Sequence, residues 1–197
     1  MDADDGVGPE APRVDYAGWG ERFFEQAVTL ERVLAGVNVL GGRPIELGPL
    51  GVGPGRLAKV HATGTIGEAT GHRVGVSPMT FDVTLPASLS FVLDLTMDKQ
   101  RFDAEVEVPL RLTAHAHADL SIFVDVTPPR ADAVVVRLKA QGLRASLTQA
   151  AAGVDGELRR FIAKYVAREV DKPHIAAARV IDVAAAIERS ADHVVPR

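Results

Sequence analysis

Apolar and polar side chains alternate almost without interruption through the middle of the chain. The apolar positions are odd from Met79 to Met97 and even from Phe102 to Val126. Because successive side chains of a β-strand point to opposite faces, this period of two predicts long antiparallel strands with one buried and one solvated face. The polar segment 98–101, where the phase changes, is predicted to be the turn between the first two strands.

The second alternating run is too long for one straight strand. At about 3.3 Å per residue, residues 102–126 would extend for roughly 80 Å, more than a domain of this size can span. The long strands therefore bend, with Pro86 and Pro109 as bulge or edge positions, or the run contains a hairpin without a recognisable turn signal. In both cases so long an apolar face has to curl around another element.

A long helix is predicted after the sheet. Between residues 146 and 171, apolar side chains recur at spacings of three and four, and charged side chains fall largely on the other side. Pro173 closes this helix, and segment 179–183 is predicted to form a short strand before a last helix over 184–190. The apolar stripe of the long helix comprises Leu147, Ala150, Ala151, Val154, Leu158, Phe161, Ile162, Tyr165, Val166 and Val170.

Helical spacing also occurs near the amino terminus, over residues 20–37. Thr29 is a candidate N-cap inside this segment, so the pattern fits one kinked helix or two short ones. Glycine and proline dominate residues 41–56, which predicts a loop or a bent edge strand, and a further strand is predicted over 57–66. The glycines of segment 51–56 lack the lysine of a phosphate-binding loop and the spacing of a dinucleotide-binding one, so a turn is the better interpretation.

Composition supports a single globular domain. The chain has 197 residues, of which 47% are apolar and 24% charged, and its net charge is −4. Such a chain can bury a sizeable core, and the negative balance argues against nucleic acid as the main partner. We therefore predict one α+β domain over residues 16–197, preceded by a disordered acidic tail over residues 1–15. The absence of cysteine excludes Cys-ligated metal sites and thiol nucleophiles.

The amino-terminal segment also bears on location. It is acidic where a secretory signal peptide would be basic, and no apolar segment follows it before Tyr16. The chain contains no stretch of about 18 uninterrupted apolar residues, which a membrane-spanning helix would require. We expect a cytoplasmic protein that does not insert stably into a membrane.

The alternating runs 81–97 and 102–126, the helix over 153–170 and the segment 179–183 together resemble the tubular lipid-binding (TULIP-like) superfamily. The resemblance covers about residues 20–190 and lies in the pattern of elements. It implies an α+β fold in which a long, highly curved antiparallel β-meander wraps around a long C-terminal amphipathic helix, with a further helix at the amino terminus. It also implies that a slot between helix and sheet holds acyl chains, with no catalytic residues and no cofactor.

One segment independently favours such a slot. Ala114, Ala116 and Ala118 place three small side chains in succession on the predicted inward face, either to let the helix approach closely or to leave volume for a ligand. The expected ligand is a lipid or another elongated apolar molecule. The predicted cavity is lined by Leu112, Ala114, Ala116, Ala118, Leu120, Leu158, Phe161, Ile162 and Tyr165.

The most distinctive cluster of polar residues, as a candidate metal site, contains two histidines. His115 and His117 lie two residues apart, so in a strand both imidazoles project from the polar face, as weak candidates for a zinc-like site. Asp119 is too far along an extended strand to bind the same ion, and a third ligand would have to come from elsewhere, with His61 or His72 available. A solvated sheet face is the simpler interpretation.

No sequence motif identifies a particular reaction. The carboxylates of the alternating runs are predicted on the solvated face, where they keep ordinary acidity, and no nucleophile elbow is present. Three functions stay open: a non-catalytic module that binds a lipid between helix and sheet, a small enzyme acting on an apolar biosynthetic intermediate, and a ligand-free interaction scaffold. An apolar cavity lining would favour the first function, and buried polar side chains would favour the second.

Overall fold

The computed structural model describes residues 12–39, 44–52, 58–95, 98–140 and 147–194. They form an α+β fold in which a strongly curled antiparallel sheet, shaped as a half-barrel, is accompanied by helices. The helices are α1 (Tyr16–Ala27), α2 (Leu30–Asn38), α3 (Leu147–Val170), α4 (Pro173–Ala178) and α5 (Val183–Val194). The strands are β1 (Pro44–Val52), β2 (Ala58–Ile66), β3 (Thr70–Val76), β4 (Met79–Leu95), β5 (Asp98–Ala116), β6 (Ser121–Thr127), β7 (Val135–Ala140) and β8 (Val180–Asp182).

Strands β4 and β5 form the centre of the sheet. They pair antiparallel along the whole of β4, from Met79 opposite Ala114 to Leu95 opposite Asp98. The main path through the sheet is β1-β2-β4-β5-β6-β8, and β3 and β7 pair with β4 and β5 outside this path. The predicted antiparallel arrangement of long strands is therefore confirmed.

Each of the two long strands changes its outer neighbour near a proline. β4 pairs first with β3 and then with β2, and Pro86 lies in the gap between these two partners. β5 pairs first with β7 and then with β6, and Pro109 lies in the corresponding gap. Because proline has no amide hydrogen to donate, it fits positions where the neighbouring strand is interrupted. Of the two predicted alternatives, bulge or edge positions, the structure shows locally unpaired edges and a regular register with the inner strand.

The run over 102–126 is a hairpin. β5 ends at Ala116, β6 begins at Ser121, and the residues between them form the turn. Leu120 has a φ of 61°, in the left-handed region that residues other than glycine rarely enter. Ala118 and Leu120 are exposed in this turn, and Ala116 is exposed at the end of β5. Ala116 keeps the inward side, since it pairs with buried Ile122 and lies two residues from buried Ala114, but it is exposed because the sheet ends there. The prediction that Ala118 and Leu120 face inward is wrong, because both residues lie in the turn.

Other local differences concern the turns and the short strands. Residues 98–101 pair with residues 92–95, so the predicted turn segment is the first part of β5. The sequence pattern did not predict β3. β1 confirms the edge-strand interpretation of the glycine-rich segment, with an irregular register between Leu47 and Leu50. Residues 53–56 of that segment lie outside the described residues.

The amino-terminal helical segment consists of two helices. Asp15 caps α1 by accepting a hydrogen bond from the Gly18 amide at 2.8 Å. Thr29 caps α2 as predicted, by accepting from the Arg32 amide at 3.3 Å. The Arg32 guanidinium also donates to two carbonyls at the end of α1, at 2.9 and 3.0 Å, and so fixes the joint between the helices. Of the predicted disordered tail, residues 1–11 lie outside the described residues.

Three of the elements after the sheet agree with the prediction, whereas α4, which begins at Pro173, was not predicted. α3 covers 24 residues, and β8 and α5 correspond to the predicted short strand and last helix. α3 packs against β7 and against the 3-10 turn Ala131–Ala133 that precedes it. Among the helices of the described residues, none is both long and apolar enough to span a bilayer.

The core lies on the inner face of the curled sheet. Val28 from the amino-terminal helices and Leu158 and Ile162 from α3 belong to the same cluster as the inward side chains of the sheet. Among the described residues, every buried side chain is apolar. The inward side chains of β4 and β5 in this core are Met79, Phe81, Val83, Leu85, Leu89, Phe91, Phe102, Ala104, Val106, Val108, Leu110, Leu112 and Ala114.

The outer face of the same strands is polar, as the alternation predicts. Its side chains join neighbouring strands through hydrogen bonds, a cross-strand arrangement that stabilises a sheet modestly. Three such pairs are Ser88 with Glu105 at 2.9 Å, Ser90 with Asp103 at 2.8 Å, and Arg111 with Asp82 at 2.8 Å.

Candidate functional site

An open groove lies at the end of the sheet where β4 begins and β5 ends. It is bounded by α1, by the turn between β3 and β4, and by the last residues of β5, and its volume is about 970 Å³. Small-molecule sites typically have volumes of about 300–1,000 Å³. We call it the end groove, and it is lined by Val14, Asp15, Gly18, Gly20, Glu21, Arg22, Phe24, Glu25, Val76, Ser77, Pro78, Met79, Ala114, His115 and Ala116.

The floor of the end groove is apolar. Met79 and Ala114 lie opposite each other in the β4–β5 ladder and are only 2% and 3% exposed. Phe24 of α1 packs against the same core. Val76 and Pro78, at the β3–β4 turn, add exposed apolar surface to the wall. An apolar molecule that reaches this floor is stabilised by about 25 cal/mol for each Å² of apolar surface removed from water.

Polar contacts and packing hold the amino-terminal helices beside the sheet. The Asn38 side-chain oxygen accepts a hydrogen bond at 2.8 Å from the amide of buried Ala69, in the loop before β3. Glu25 and Arg73 form an ion pair between α1 and β3 at 3.9 Å. α2 also packs directly on β3. β3 therefore connects the wall formed by α1 to the wall formed by the β3–β4 turn.

The charges of the end groove lie at its mouth. Three carboxylates, those of Asp15, Glu21 and Glu25, line the groove together with one guanidinium, that of Arg22, and the His115 imidazole. All five side chains are exposed, in contrast to the buried floor. The end groove is therefore amphipathic along its depth, with an apolar floor and a charged mouth.

The predicted cavity residues fall into separate places. Ala114 and Ala116 line the end groove, whereas Ala118 and Leu120 lie in the β5–β6 turn. The remaining five belong to the core or pack against it: Leu112, Leu158, Phe161, Ile162 and Tyr165. Sequence reasoning missed the contributions of α1 and the β3–β4 turn to the groove. The apolar and aromatic residues of the first helix were the only signal for them.

The Tyr165 side chain of α3 is partly buried and packs against the core. Burial raises the pKa of the Tyr165 phenol, and the nearby Glu169 carboxylate raises the pKa further. The phenol therefore stays protonated at neutral pH, where it can donate a hydrogen bond but cannot act as a base.

The histidines form no metal centre with the described residues. His115 is the cross-strand partner of Phe123, and the His117 ring lies 6.2 Å from the Phe123 ring, centroid to centroid. His61 and His72 are exposed on β2 and β3. Within the described part of the chain, no group of three potential ligands is close enough to hold an ion.

Several carboxylates outside the end groove are engaged in structural contacts. Asp119 accepts hydrogen bonds from the amide and the hydroxyl of Ser121, at 3.0 and 2.7 Å, and these lower the pKa of Asp119. Hydrogen bonds from Arg111 likewise lower the pKa of Asp82. Asp182 caps α5 by accepting from a backbone amide at 2.8 Å. Asp82 and Asp119 thus stay ionised at neutral pH and are poor general acids.

A second cavity, of about 700 Å³, is lined by residues of β3, β4 and β5 and by the segment that follows β6. Both arginines in its lining are already paired, Arg111 with Asp82 and Arg130 with Asp132. These pairs leave little free charge to hold a polar ligand, although buried Val83 and Leu110 also line the cavity. The end groove is larger, at about 970 Å³, and a helix forms one of its walls, so it is the better candidate for a site.

Comparison with known proteins leaves the site to be interpreted from its geometry. No family model matches this chain, and no curated protein matches it. Residue roles therefore have to be argued from contacts, burial and charge.

Proposed function

We propose that this chain binds an elongated apolar molecule, such as a lipid with a single acyl chain, in the end groove. The observation that carries the proposal is the buried pair Met79 and Ala114 beneath an open mouth of about 970 Å³. An alkyl chain that enters the groove would contact this apolar floor, while a polar head group would stay among the exposed charges at the mouth.

The polarity of the interior favours binding over catalysis. Within the described residues no charged or polar side chain is buried. Catalytic acids and bases usually owe their function to burial or to close charged neighbours that bring the pKa near neutrality. In this proposal the end groove therefore holds its ligand without transforming it.

The proposal also includes a wider role for α3. In the tubular lipid-binding arrangement the curved sheet wraps around the long C-terminal helix, and α3 would be that helix here. Support comes from Leu158 and Ile162, which belong to the same buried cluster as Leu112 and Ala114 of β5. The α3 side of the core would then support the floor of the groove from within.

The strength of binding follows from the size of the apolar chain. Burial of about ten methylene groups at roughly 0.8 kcal/mol each contributes about 8 kcal/mol before the costs of association. The resulting affinity is micromolar or weaker. Such an affinity suits the uptake and release of a cargo molecule, and no ionic contact is needed to reach it.

A matched pair of variants tests the proposal. Ala116 and Ala118 are both exposed, but only Ala116 lines the end groove. Binding of dodecan-1-ol, an uncharged single-chain probe, would be measured by isothermal titration calorimetry. We expect Ala116→Phe to weaken it by at least about tenfold, and Ala118→Phe to leave it within about twofold of the unchanged chain. Absence of binding to the unchanged chain, or equal effects of the two variants, would overturn the proposal.

A further inference from the structure

We infer that the end groove prefers amphiphiles with a cationic head group, such as an alkylammonium, and discriminates against fatty-acid carboxylates. The inference rests on the proposed function, because it concerns the head group of a ligand whose alkyl chain occupies the groove. It is carried by the charges at the mouth together with the apolar floor beneath them.

The balance of charge at the mouth is negative. Three carboxylates line the groove against one guanidinium, that of Arg22. The Glu25 carboxylate pairs with Arg73 at 3.9 Å, so its charge is partly neutralised. Glu21 forms no hydrogen bond or ion pair within the described part of the chain, so its exposed carboxylate can act on a ligand, screened by solvent and salt. A carboxylate head group would meet repulsion here, and an ammonium group would meet attraction.

The backbone amides at the start of α1 offset part of the Asp15 charge, but they are not open to a ligand carboxylate. The amino terminus of a helix attracts anions, because its first amides and its dipole are positive. In this structure the Asp15 carboxylate already occupies that position and accepts a hydrogen bond from the Gly18 amide at 2.8 Å. A ligand carboxylate would have to displace Asp15, which lies in the same chain and is held at the cap by its position.

The depth of the groove places the head group among these charges. Met79 and Ala114 at the floor are almost fully buried and apolar, whereas Asp15, Glu21 and Arg22 at the mouth are exposed. Burial of a charged head group against the floor would cost several kcal/mol, so the alkyl chain enters first. The head group then stays near the exposed carboxylates, partly shielded from water by the groove walls.

Three probes with the same chain and different head groups test the inference. Binding would be measured by calorimetry for dodecyltrimethylammonium and dodecanoate below their micellar concentrations, and for dodecan-1-ol below its solubility in water. We expect the affinity to fall in that order, with dodecanoate about threefold to tenfold weaker than the alcohol at low salt and the difference reduced at high salt. Equal affinities, or tightest binding of dodecanoate, would overturn the inference and leave the proposed function standing. Failure of all three probes to bind would overturn both.

Two glutamate variants connect the preference to the mouth of the groove. Glu21→Gln should strengthen dodecanoate binding by about twofold to threefold and leave binding of the alcohol unchanged. Glu188→Gln is the control, because Glu188 is exposed on α5 and does not line the groove. An equal response of both variants would contradict the assignment of the preference to the groove, because both remove the same net charge.

Discussion

Met79 and Ala114 face each other across β4 and β5 at the last registered pair of that ladder, and both side chains are almost fully buried. Two residues further along β5, Ala116 is exposed. Along β5 the buried core therefore ends at Ala114, although Ile122 of β6, opposite Ala116, is still buried. Met79 and Ala114 form the floor of the end groove. Both alanines line the groove, but only Ala114 belongs to the close-packed interior.

This difference predicts that the same substitution has a large effect on stability at one position and a small effect at the other. Ala114→Leu adds volume inside a packed core and should lower the free energy of unfolding by about 1–3 kcal/mol. Ala116→Leu adds the same volume at an exposed position and should change it by less than about 0.5 kcal/mol. Urea unfolding followed by circular dichroism measures both values. Equal losses of unfolding free energy in the two variants would show that the Ala116 side chain is also packed in the core.

A second prediction concerns the packing of α3 on the sheet. Leu158 is 5% exposed and belongs to the buried cluster. Leu158→Ala should lower the free energy of unfolding by about 2–5 kcal/mol, because it leaves a cavity as well as losing apolar burial. Lys164→Ala, at an exposed position of the same helix, is the control and should cost less than about 0.5 kcal/mol. A small effect of Leu158→Ala in urea unfolding would mean that α3 is not docked on the core.

The main elements of the fold could be predicted because their patterns are long. The alternation over Met79–Leu95 and the helical stripe over Leu147–Val170 each repeat many times, so local irregularities do not hide the period. A strand or an amphipathic helix that buries one face shows a periodic pattern of apolar residues. This pattern can be read without knowledge of the rest of the chain. The curled antiparallel sheet follows from the same periodicity.

The turn between β5 and β6 could not be predicted because its residues continue the alternation. Ala116, Ala118 and Leu120 keep the even apolar phase, and no glycine, asparagine or proline marks the reversal. The chain reverses with Leu120 in the left-handed region, and the Asp119 carboxylate accepts a hydrogen bond from the Ser121 amide. An unfavourable backbone conformation of one leucine, held by its surroundings, leaves no signal in a hydrophobicity pattern.

The end groove could not be predicted because it depends on distant parts of the chain. Phe24 of α1, Val76 before the β3–β4 turn and Ala114 of β5 meet only through tertiary packing. β3 is short and contains Gly71 and Gly75, which weaken its alternation of apolar and polar residues. The strand that holds α1 in place was therefore not predicted. Gly71 is required by its surroundings, because a Cβ atom there would lie 2.6 Å from the Asp82 carbonyl oxygen.

The Asp82–Arg111 pair predicts a contribution to stability that is sensitive to acid. Hydrogen bonds from Arg111 hold the pKa of Asp82 below its ordinary value of 3.8. The folded chain therefore binds this proton less readily than the unfolded chain. The contribution is present in full above the ordinary pKa and is lost as the pH falls through the lowered one.

Urea unfolding at different pH values checks the predicted direction of this change in stability with pH. Between about pH 5 and about pH 2, the free energy of unfolding should fall less in Asp82→Asn than in the unchanged chain, because the variant has no such proton to bind. Asp125→Asn provides the control, since Asp125 is exposed and has no ion pair within the described residues. The same pH dependence in all three proteins would exclude a contribution from the Asp82–Arg111 pair.

The hydrogen bond between Asn38 and Ala69 predicts how the amino-terminal helices are held. The Ala69 residue is 3% exposed, and its amide donates to the Asn38 side-chain oxygen at 2.8 Å. Asn38→Ala leaves a buried amide without a partner and should lower the free energy of unfolding by about 1–3 kcal/mol. Gln26→Ala is the matched control, because the Gln26 side chain is exposed and also loses an amide group in a helix. Hydrogen exchange at Ala69 should accelerate in Asn38→Ala alone; unchanged exchange there would mean that packing of α2 on β3 holds the helices without this bond.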